Sequence, residues 1–387
     1  MVKEGGFYDS VDLIRTVAIV GVIMLHASND YTVQSMGLFE IIRWNTVSFY
    51  ETAGRLGVPL FLLLTGALLL QPSKSSEPIR EFFKKRWTRI GLPFIFWGAV
   101  YFVWDFLVVH QINGLPITST SIIQGFLTGP YYQFWYLYLL VGLYLLTPIL
   151  RVLITRMERD LIKYLLVLWL LGAFLLPALY QVTSLRLDSN VLEFTSYAGY
   201  FILGAFLVTV QVRRSRLAIL TALGIALTMV ATYAIAATVG GVEMYYFQQY
   251  FSPTLILASA ALFMLLIDVA KPSVQSHMIR AATPVPSSLA STLNLVNETG
   301  KQHNVELPKQ SAGRRLLTLI SANTLPIFLF HVMVLETIQK GYLGFVINGN
   351  TLNSVVEIPL NTVITLFVSL GIILALKKVP HMKRLIG

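Results

Sequence analysis

Three ionisable residues, Asp12, Arg15 and His26, stand in the first apolar segment of the chain. A charged group inside hydrocarbon is costly, so ionisable residues in such a segment indicate a functional site. Arg15 and His26 are eleven residues apart, which returns them to nearly the same helix face and separates them by roughly 16 Å along the axis. One stripe of this helix would therefore link the two leaflets of a membrane. A snorkelling arginine and a histidine bonded to a neighbouring helix are the structural alternative.

A second histidine, His331, lies in another apolar segment and is followed about one turn later by Glu336. In the topology derived below, His331 lies at a depth similar to that of His26. Neutral imidazole accepts a proton at physiological pH, which suits a general base acting on a hydroxyl group. A metal would need a third ligand, and Glu336 is the one candidate at that depth, so we predict no metal. A hydrogen-bonded structural histidine is the alternative for His331.

Basic residues cluster where the third apolar segment begins, and they include Lys85, Arg86 and Arg89. Arg86 and Arg89 are three residues apart on one helix face, and paired arginines bind phosphate with bidentate geometry. The cluster therefore predicts a phosphate site, whereas an ordinary membrane anchor with Trp87 at the interface is the alternative. No P-loop and no GxGxxG motif occurs, so ATP and dinucleotide binding have no support.

Aromatic residues crowd the start of the fourth apolar segment, among them Trp135 and Tyr136. Aromatic side chains at this position most often form an interfacial belt. They could also stack on a sugar ring, because an aromatic face pairs with apolar C–H groups. We therefore consider Trp135 and Tyr136 as candidate substrate-binding residues, together with His331 and Glu336.

The composition is that of an integral membrane protein. Of the 387 residues, 55% are hydrophobic and 12% are charged, and the mean hydropathy is +0.68. Soluble domains carry about twice that charged fraction. The chain has no cysteine, which excludes disulfides, thiolate nucleophiles and cysteine-ligated metals. The predicted fold class is all-α, a polytopic bundle of membrane helices.

Runs of about 17–25 apolar residues can span the hydrocarbon of a bilayer, and the chain has ten. Most of the 29 basic residues fall in alternate loops, so the positive-inside rule places both termini in the cytoplasm. The basic excess is then a topology signal, and we exclude nucleic acid as a partner. Residues 271–315 are rich in Ser, Thr, Pro and Asn and are predicted to form a flexible cytoplasmic loop. The predicted spans are 11–28, 52–70, 90–109, 132–150, 161–180, 194–210, 217–238, 253–270, 316–336 and 356–376.

Several motifs together resemble the acyltransferase-3 family of integral membrane acyltransferases. They appear in family order over nearly the whole chain, which implies one membrane acyltransferase domain over residues 1–387. Members acylate, usually O-acetylate, surface polysaccharides and related glycans with the acyl group of cytoplasmic acyl-CoA. The resemblance implies that Arg15, His26, Arg86 and Arg89 are the functional residues. The motifs are Arg15 and His26 with ten residues between them, Arg86-Trp-Thr-Arg89, Gly57-Val-Pro-Leu-Phe61, Thr65-Gly66, Phe134-Trp-Tyr-Leu137, Gly199-Tyr-Phe-Ile-Leu-Gly204 and Leu329-Phe-His331.

We therefore predict a ten-helix O-acyltransferase of the cell membrane, with acyl-CoA, most simply acetyl-CoA, as the donor. The acceptor would be a hydroxyl of an extracytoplasmic glycan or lipid-linked saccharide. Arg86, Arg89 and Lys85 would hold the donor phosphates, while His26, supported by Arg15, either deprotonates the acceptor or briefly carries the acyl group.

The competing hypothesis is a proton-coupled or solute transporter. In that hypothesis Asp12, Arg15, His26 and His331 line a proton or solute pathway. A purely structural membrane scaffold is disfavoured by the number of intramembrane ionisable groups.

Overall fold

The structure, a computed structural model, is entirely helical in the residues that it describes. Apolar runs interrupted by few charges fold into helices because intrahelical hydrogen bonds satisfy the backbone in a medium without water. The described residues are 5–28, 38–106, 129–183, 196–238, 246–269, 311–348 and 351–387, with a few single positions between 118 and 125.

Fourteen α-helices are present in these ranges, and a π-helical turn, Trp87–Gly91, joins the fourth to the fifth. A short 3₁₀ turn, Tyr132–Phe134, leads into the sixth. The helices are α1 Gly5–Ser28, α2 Leu38–Arg55, α3 Gly57–Leu69, α4 Ile79–Arg86, α5 Leu92–Trp104, α6 Trp135–Arg156, α7 Arg159–Thr183, α8 Ser196–Leu207, α9 Arg214–Thr238, α10 Pro253–Val269, α11 Ala312–Ala322, α12 Thr324–Gln339, α13 Ser354–Leu376 and α14 Met382–Ile386.

Six helical segments of the described chain are long and apolar enough to cross a membrane, and a seventh results if α11 and α12 form one broken span. These seven correspond to seven of the ten predicted spans. The predicted spans 90–109, 161–180 and 194–210 contain α5, α7 and α8, which are not among the seven. An all-helical, multi-pass bundle is therefore confirmed, and the number of ten spans stays a prediction, as does the location of the termini.

α1 is the central helix of the bundle and packs against α2, α3, α10, α11, α12 and α13. Its core-facing side chains, among them Ile14, Ile19 and Ile23, are fully buried. Burial on almost every side explains why this helix is apolar around most of its circumference. Asp12, Arg15 and His26 consequently lie next to other helices of the bundle.

Glycines bring α1 and the α2–α3 pair into backbone contact. A Cβ atom on Gly54 would lie 2.7 Å from the backbone nitrogen of Leu25, and one on Gly57 would lie 2.5 Å from the carbonyl oxygen of Ala18. Small residues permit this close approach in membrane helix pairs. Because Gly54 abuts Leu25, the end of α2 lies level with the segment of α1 that carries His26.

A sharp bend of 80° separates α11 from α12. The break falls at Asn323, whose side-chain amide donates to the carbonyl oxygen of Leu319 at 2.7 Å. Asp12 of α1 accepts hydrogen bonds from Thr318 at 2.9 Å and from Ser321 at 2.6 Å. Asp12 therefore anchors α11 to the bundle.

The predicted loop 271–315 ends earlier than expected. Residues 271–310 lie outside the described part of the chain, but α11 begins at Ala312. Ser311 is the N-cap, and its hydroxyl accepts a hydrogen bond from the backbone N–H of Arg314 at 3.4 Å. A serine cap satisfies one of the open backbone donors of a helix start, so the last residues of the predicted loop are helical instead.

Candidate functional site

A half-enclosed cavity of about 200 Å³ is lined by the three arginines Arg15, Arg86 and Arg89. We call it the arginine cavity. Arg15 comes from the middle of α1, whereas Arg86 and Arg89 come from the junction of α4 with the π-helical turn. The sequence placed Arg15 on one stripe with His26, but the structure also brings it to the two other arginines. Most of the remaining wall is apolar, formed by α3, α6 and α12.

The charge of the arginine cavity is positive. No Asp or Glu side chain belongs to the part of its lining that the structure describes, although Gly387, the last residue of the sequence, also lines it. The carboxylate that acts on Arg15, Asp12, is already bound by Thr318 and Ser321. Arg15 and Arg89 lie close enough for their charges to repel each other. Guanidinium groups held together without anionic partners are matched to an anionic ligand such as a phosphate.

Tyr144 of α6 is a residue of this cavity that the sequence did not single out. The charges of Arg15, Arg86 and Arg89 all act on its hydroxyl, and the Arg86 guanidinium lies 5.7 Å from the centre of its ring. Arg86 also lies 4.8 Å from the ring centre of Phe82. An aromatic face holds a guanidinium that stacks on it in place. The N–H groups, which lie in the plane of the guanidinium, stay available to a ligand.

An ion-pair network outside the cavity fixes α4. The Arg151 side chain is buried, and its guanidinium donates to the carbonyl oxygen of Leu69 at 2.6 Å and to the Glu77 carboxylate at 2.9 Å. Glu77 also accepts from Lys85 at 2.9 Å. The hydrogen bond from Lys85, followed by that from Arg151, holds the pKa of Glu77 below its usual value of 4.5. Arg151 and Glu77 therefore join α6 to both ends of the α3–α4 connection.

Lys85 belongs to this network and not to the arginine cavity. It lines a shallower surface pocket of about 570 Å³ together with Lys84, Thr88 and Arg89. Arg89 is exposed and borders both spaces. The two spaces are therefore adjacent, and a ligand with a bulky charged end and a narrow arm could occupy both.

Two aromatic residues form the inner wall of the arginine cavity. Tyr136 and Phe328 are nearly fully buried and line the cavity, and their ring centres lie 5.3 Å apart. The Phe328 ring centre is 5.8 Å from that of His331. The wall that closes the arginine cavity is therefore in contact with the second intramembrane histidine.

His26 and His331 form a pair, with ring centres 5.3 Å apart. The expectation that they lie at one depth is confirmed. The Nδ1 atom of His331 lies 2.6 Å from the carbonyl oxygen of Phe328. Since a carbonyl can only accept, Nδ1 carries the proton and Nε2 has a free lone pair. Within the described residues, neither Nε2 of His331 nor Nδ1 of His26 has a hydrogen-bond partner.

Tyr132 and the residues around it enclose the other side of His26. The ring centre of Tyr132 lies 5.2 Å from that of His26 and 5.2 Å from that of Tyr131. The Tyr131 hydroxyl donates to Glu336 at 2.6 Å, and Glu336 also accepts from Trp104 at 3.3 Å. Glu336, predicted as a substrate ligand, thus has protein partners and positions the Tyr131–Tyr132 segment beside His26.

Trp135 and Tyr136 face different environments. Tyr136 lines the arginine cavity, whereas Trp135 is half-buried and stacks on Tyr250, with ring centres 5.9 Å apart and an interplanar angle of 29°. The two residues were predicted together as sugar-stacking candidates. In the structure Trp135 also contacts Tyr136, with ring centres 6.0 Å apart, but of the two only Tyr136 lines the arginine cavity.

Groups of three or more His, Cys, Asp or Glu side chains that could hold a metal ion do not occur among the described residues. At the depth of His26 and His331 the nearest carboxylate considered from the sequence was Glu336, which is bound by Tyr131, Trp104 and Lys340.

The chain is similar to known proteins over most of its length. The family described as an acyltransferase domain matches residues 8–376, nearly the whole chain. One curated relative is the succinoglycan biosynthesis protein ExoH of Rhizobium meliloti (strain 1021), 24% identical over 161 residues. The alignment covers 38% of this chain and 44% of that protein. No solved structure matches the chain significantly. The match over residues 8–376 shows that the chain belongs to the acyltransferase-3 family of integral membrane acyltransferases.

Proposed function

We propose that the protein transfers an acyl group, in the simplest case acetyl, from acyl-CoA to a hydroxyl of a glycan or lipid-linked saccharide across the cell membrane. The observation that carries the proposal is one continuous contact path. Arg15, Arg86 and Arg89 line a cavity whose inner wall includes Phe328, Phe328 bonds to His331, and His331 touches His26. A phosphate site is thereby connected to a proton acceptor.

In this proposal one acyl-CoA molecule occupies both the arginine cavity and the shallow pocket next to it. The arginine cavity, about 200 Å³, is smaller than the ~300–1,000 Å³ of sites that enclose a whole drug-sized ligand. It suits the narrow pantetheine arm of acyl-CoA, with Arg15 and Arg86 near its phosphates. The nucleotide end would lie over the shallow pocket of Lys84, Lys85 and Arg89. This arrangement gives each of the predicted donor-binding residues a contact with the donor.

The reaction requires the acyl carbon to pass the Tyr136–Phe328 contact. His26 then removes the proton from the acceptor hydroxyl, and the oxygen attacks the thioester carbonyl. The resulting tetrahedral adduct expels the CoA thiolate, which takes the proton back from His26. The alternative is that a His26 nitrogen itself attacks the thioester, and the acyl group moves to the hydroxyl in a second step.

His331 acts as a positioning residue in this proposal. Its Nδ1–H is fixed by Phe328, so its Nε2 lone pair is available to accept from His26. A His26 ring that donates from Nδ1 to His331 would keep Nε2 as the basic nitrogen. A neighbour that fixes the tautomer of a catalytic imidazole is the role that a carboxylate plays in hydrolase triads.

The acceptor is proposed from two observations. The half-buried rings of Trp135 and Tyr250 stack on each other and do not line the arginine cavity, and aromatic faces of this kind bind the C–H face of sugars. The relative ExoH is named for succinoglycan biosynthesis, which supports a saccharide acceptor.

The positive-inside rule supports ten spans, cytoplasmic termini and a cytoplasmic donor site.

The transporter hypothesis loses support because Asp12 has hydrogen-bond partners on α11. Arg15, which the same pathway would need, lines the arginine cavity. The two hypotheses still differ in a measurable way, because a transporter does not turn over acyl-CoA. The test of the proposed function is therefore acyl transfer by the purified, reconstituted protein and its His26→Ala variant.

A general base contributes about 10²–10⁴-fold to a rate, so His26→Ala should lose transfer to that extent and retain CoA binding. His331→Asn should lower kcat and leave the KM for acyl-CoA unchanged, because His331 acts through His26. His381→Asn is the matched control, since His381 is exposed and lies in the turn before α14. Wild-type activity in His26→Ala would refute the proposed chemistry.

The two versions of the mechanism are separated by mass spectrometry of the protein after exposure to acyl-CoA without an acceptor. An acylated His26 would establish the two-step route, whereas an unmodified His26 in a protein that transfers acyl groups would establish direct attack by the acceptor.

A further inference from the structure

A second pair of ionisable residues, Arg55 and Glu51, lies inside the membrane-spanning segment Arg43–Leu69. The Arg55 guanidinium donates to the Glu51 carboxylate at 2.6 Å. Both side chains are largely buried, with exposed fractions of 16% and 12%. Ionisable residues at such depth are expensive and indicate function. The reaction as derived above does not use either of them.

The pair lies level with His26. Gly54, directly before Arg55, is in backbone contact with Leu25, directly before His26. The charge of Arg55 acts on His26, which places the guanidinium in the neighbourhood of the imidazole. The pair is thus on the same side of the bundle as the proposed reaction centre.

The hydrogen bonds of Arg55 are incomplete. Its Nε atom is buried and has no hydrogen-bond partner among the described residues. A guanidinium has five N–H donors, and among the described residues Arg55 makes one hydrogen bond, to Glu51. A buried polar atom without a partner costs free energy, so a ligand that supplies an acceptor would repay that cost.

An aromatic group adjoins the pair. The charges of Arg55 and Glu51 both act on the Tyr250 hydroxyl, and the Tyr250 ring stacks on Trp135 at 5.9 Å. Trp135, Tyr250 and Arg55 are half-buried, so none of them is sealed in the core. A hydrogen-bond donor (Arg55), a hydrogen-bond acceptor (Glu51) and an aromatic surface therefore lie together beside His26.

We infer that Arg55, Glu51, Trp135 and Tyr250 form the acceptor subsite and that it recognises a neutral pyranose. This inference rests on the proposed acyl transfer at His26. Arg55 donates to one sugar hydroxyl, Glu51 accepts from the adjacent hydroxyl, and the Trp135–Tyr250 surface covers the C–H face of the ring. The neutral class follows from charge, because the Arg55–Glu51 pair carries no net charge. An acidic sugar or a phosphate would instead require an arginine without a carboxylate partner.

The structural alternative is that the pair only stabilises α2, since Glu51 and Arg55 are four residues apart and bond along one helix face. The two readings differ in one respect. An intrahelical ion pair survives exchange of its partners, whereas a sugar site with exchanged donor and acceptor does not. The double variant Glu51→Arg with Arg55→Glu keeps the pair, the spacing and the net charge.

The experiment uses the cell that produces the protein, because the native acceptor is present there. Surface glycans are isolated from cells that carry the wild-type gene, no gene, Arg55→Gln, Glu51→Gln, Trp135→Leu or the exchanged pair. Their O-acyl content and the acylated sugar are determined by mass spectrometry and NMR. CoA binding by each purified protein reports on folding and on the donor site.

We expect each single substitution and the exchanged pair to lower O-acylation at least about tenfold, the effect of losing a charged hydrogen bond. CoA affinity should stay within twofold of wild type. If a larger change prevents folding, Arg55→Lys and Glu51→Asp, which keep the charges, are used instead. They should also lower O-acylation. Lys163→Gln is the matched control, because Lys163 also bonds to an acidic residue on its own helix, Asp160, and lies outside the subsite. Its O-acylation should equal that of wild type.

Full activity in the exchanged pair would make Arg55 and Glu51 structural and would overturn the inference. Loss of CoA binding in the single variants would overturn it too, because the pair would then serve the donor side or the fold. An acyl group found on a uronic acid or a phosphorylated sugar overturns the neutral class. If cells with and without the wild-type gene have equal O-acylation, the proposed function fails, and this result is distinct from all the others.

Discussion

The rings of Phe328 and Tyr136 lie 5.3 Å apart and separate the arginine cavity from His331. Because both side chains are nearly fully buried, an acyl group that travels from the cavity towards His26 must displace one of them. The size of the acyl group that can pass is therefore set by this contact.

Phe328→Ala should relax the selection for short acyl groups. The rate of transfer from butyryl-CoA relative to acetyl-CoA should rise about tenfold, since one or two methylene groups in an apolar pocket are worth that much discrimination. The measurement is transfer by reconstituted protein with acyl-CoA of increasing length. Phe330→Ala is the control, because Phe330 lies on the same helix but packs on Trp97 and does not line the cavity. An unchanged preference in Phe328→Ala would show that acyl length is selected elsewhere.

Arg86 and Arg89 should bind the donor. Removal of a charge-assisted phosphate contact costs about 1.5–3 kcal/mol, so Arg86→Ala and Arg89→Ala should each bind CoA about ten- to a hundredfold more weakly. Lysine at either position should restore only part of the affinity, because it lacks the planar fork. CoA binding to purified protein measures both effects.

Arg80→Ala provides the comparison for these two variants. Arg80 is exposed on α4 and lines neither the arginine cavity nor the shallow pocket. Its removal changes the net charge by the same amount and should leave CoA affinity unchanged. Equal effects at positions 80, 86 and 89 would indicate general electrostatic attraction in place of a defined phosphate site.

Glu77 should make the stability of the protein depend on pH in the acidic range. Lys85, and then Arg151, holds its folded-state pKa below 4.5, so the ionised form stabilises the fold at neutral pH. This contribution is present above pH 4.5 and is lost as the pH falls through the folded-state pKa. Glu77→Gln should therefore lower the Tm at pH 7, and the difference from wild type should disappear with acidification.

Thermal unfolding of detergent-solubilised protein between pH 7 and pH 3 measures this difference. Asp160→Asn is a suitable control, because Asp160 pairs with Lys163 on the exposed surface of α7, where such pairs contribute little. A Tm difference for Glu77→Gln that persists unchanged at pH 3 would contradict the assignment.

The orientation in the membrane can be tested in the cysteine-free chain. Ser76, between α3 and α4, and Leu343, after α12, are both exposed. The positive-inside rule predicts that a cysteine at position 343 reacts with an impermeant maleimide in intact cells, whereas one at position 76 reacts only after permeabilisation. The reverse pattern would invert the orientation and place the arginine cavity outside.

The residues with unusual chemistry were recognisable in the sequence because charge inside an apolar segment is rare. Arg15, His26 and His331 were found in this way, and Arg86 and Arg89 by their three-residue spacing in a basic cluster. The structure gathers the five residues into the arginine cavity and the histidine pair. The length of apolar runs also placed seven of the predicted spans. These features were identified from local information, namely residue type and spacing along one helix.

Contacts between distant helices could not be read from the sequence. Tyr144, Phe328 and Tyr132 look like ordinary apolar or interfacial residues until their neighbours on other helices are known. Glu51 and Arg55 had a readable signal, the four-residue spacing of opposite charges, but Arg55 was counted as a loop residue at the start of a span. The break at Asn323, without which α11 and α12 would be one straight span, also has no strong local signal.

The glycine contact between α1 and the α2–α3 pair affects how this protein can change in evolution. Gly54 keeps the backbones of these helices in contact, and His26 and Arg55 follow directly on the touching residues. The separation of His26 from the Arg55–Glu51 pair is therefore set by a position without a side chain. A single methyl group added there would push the helices apart and shift His26 relative to Arg55, although no functional side chain had changed. Substitutions at such packing positions are therefore a simple evolutionary route to a different acceptor.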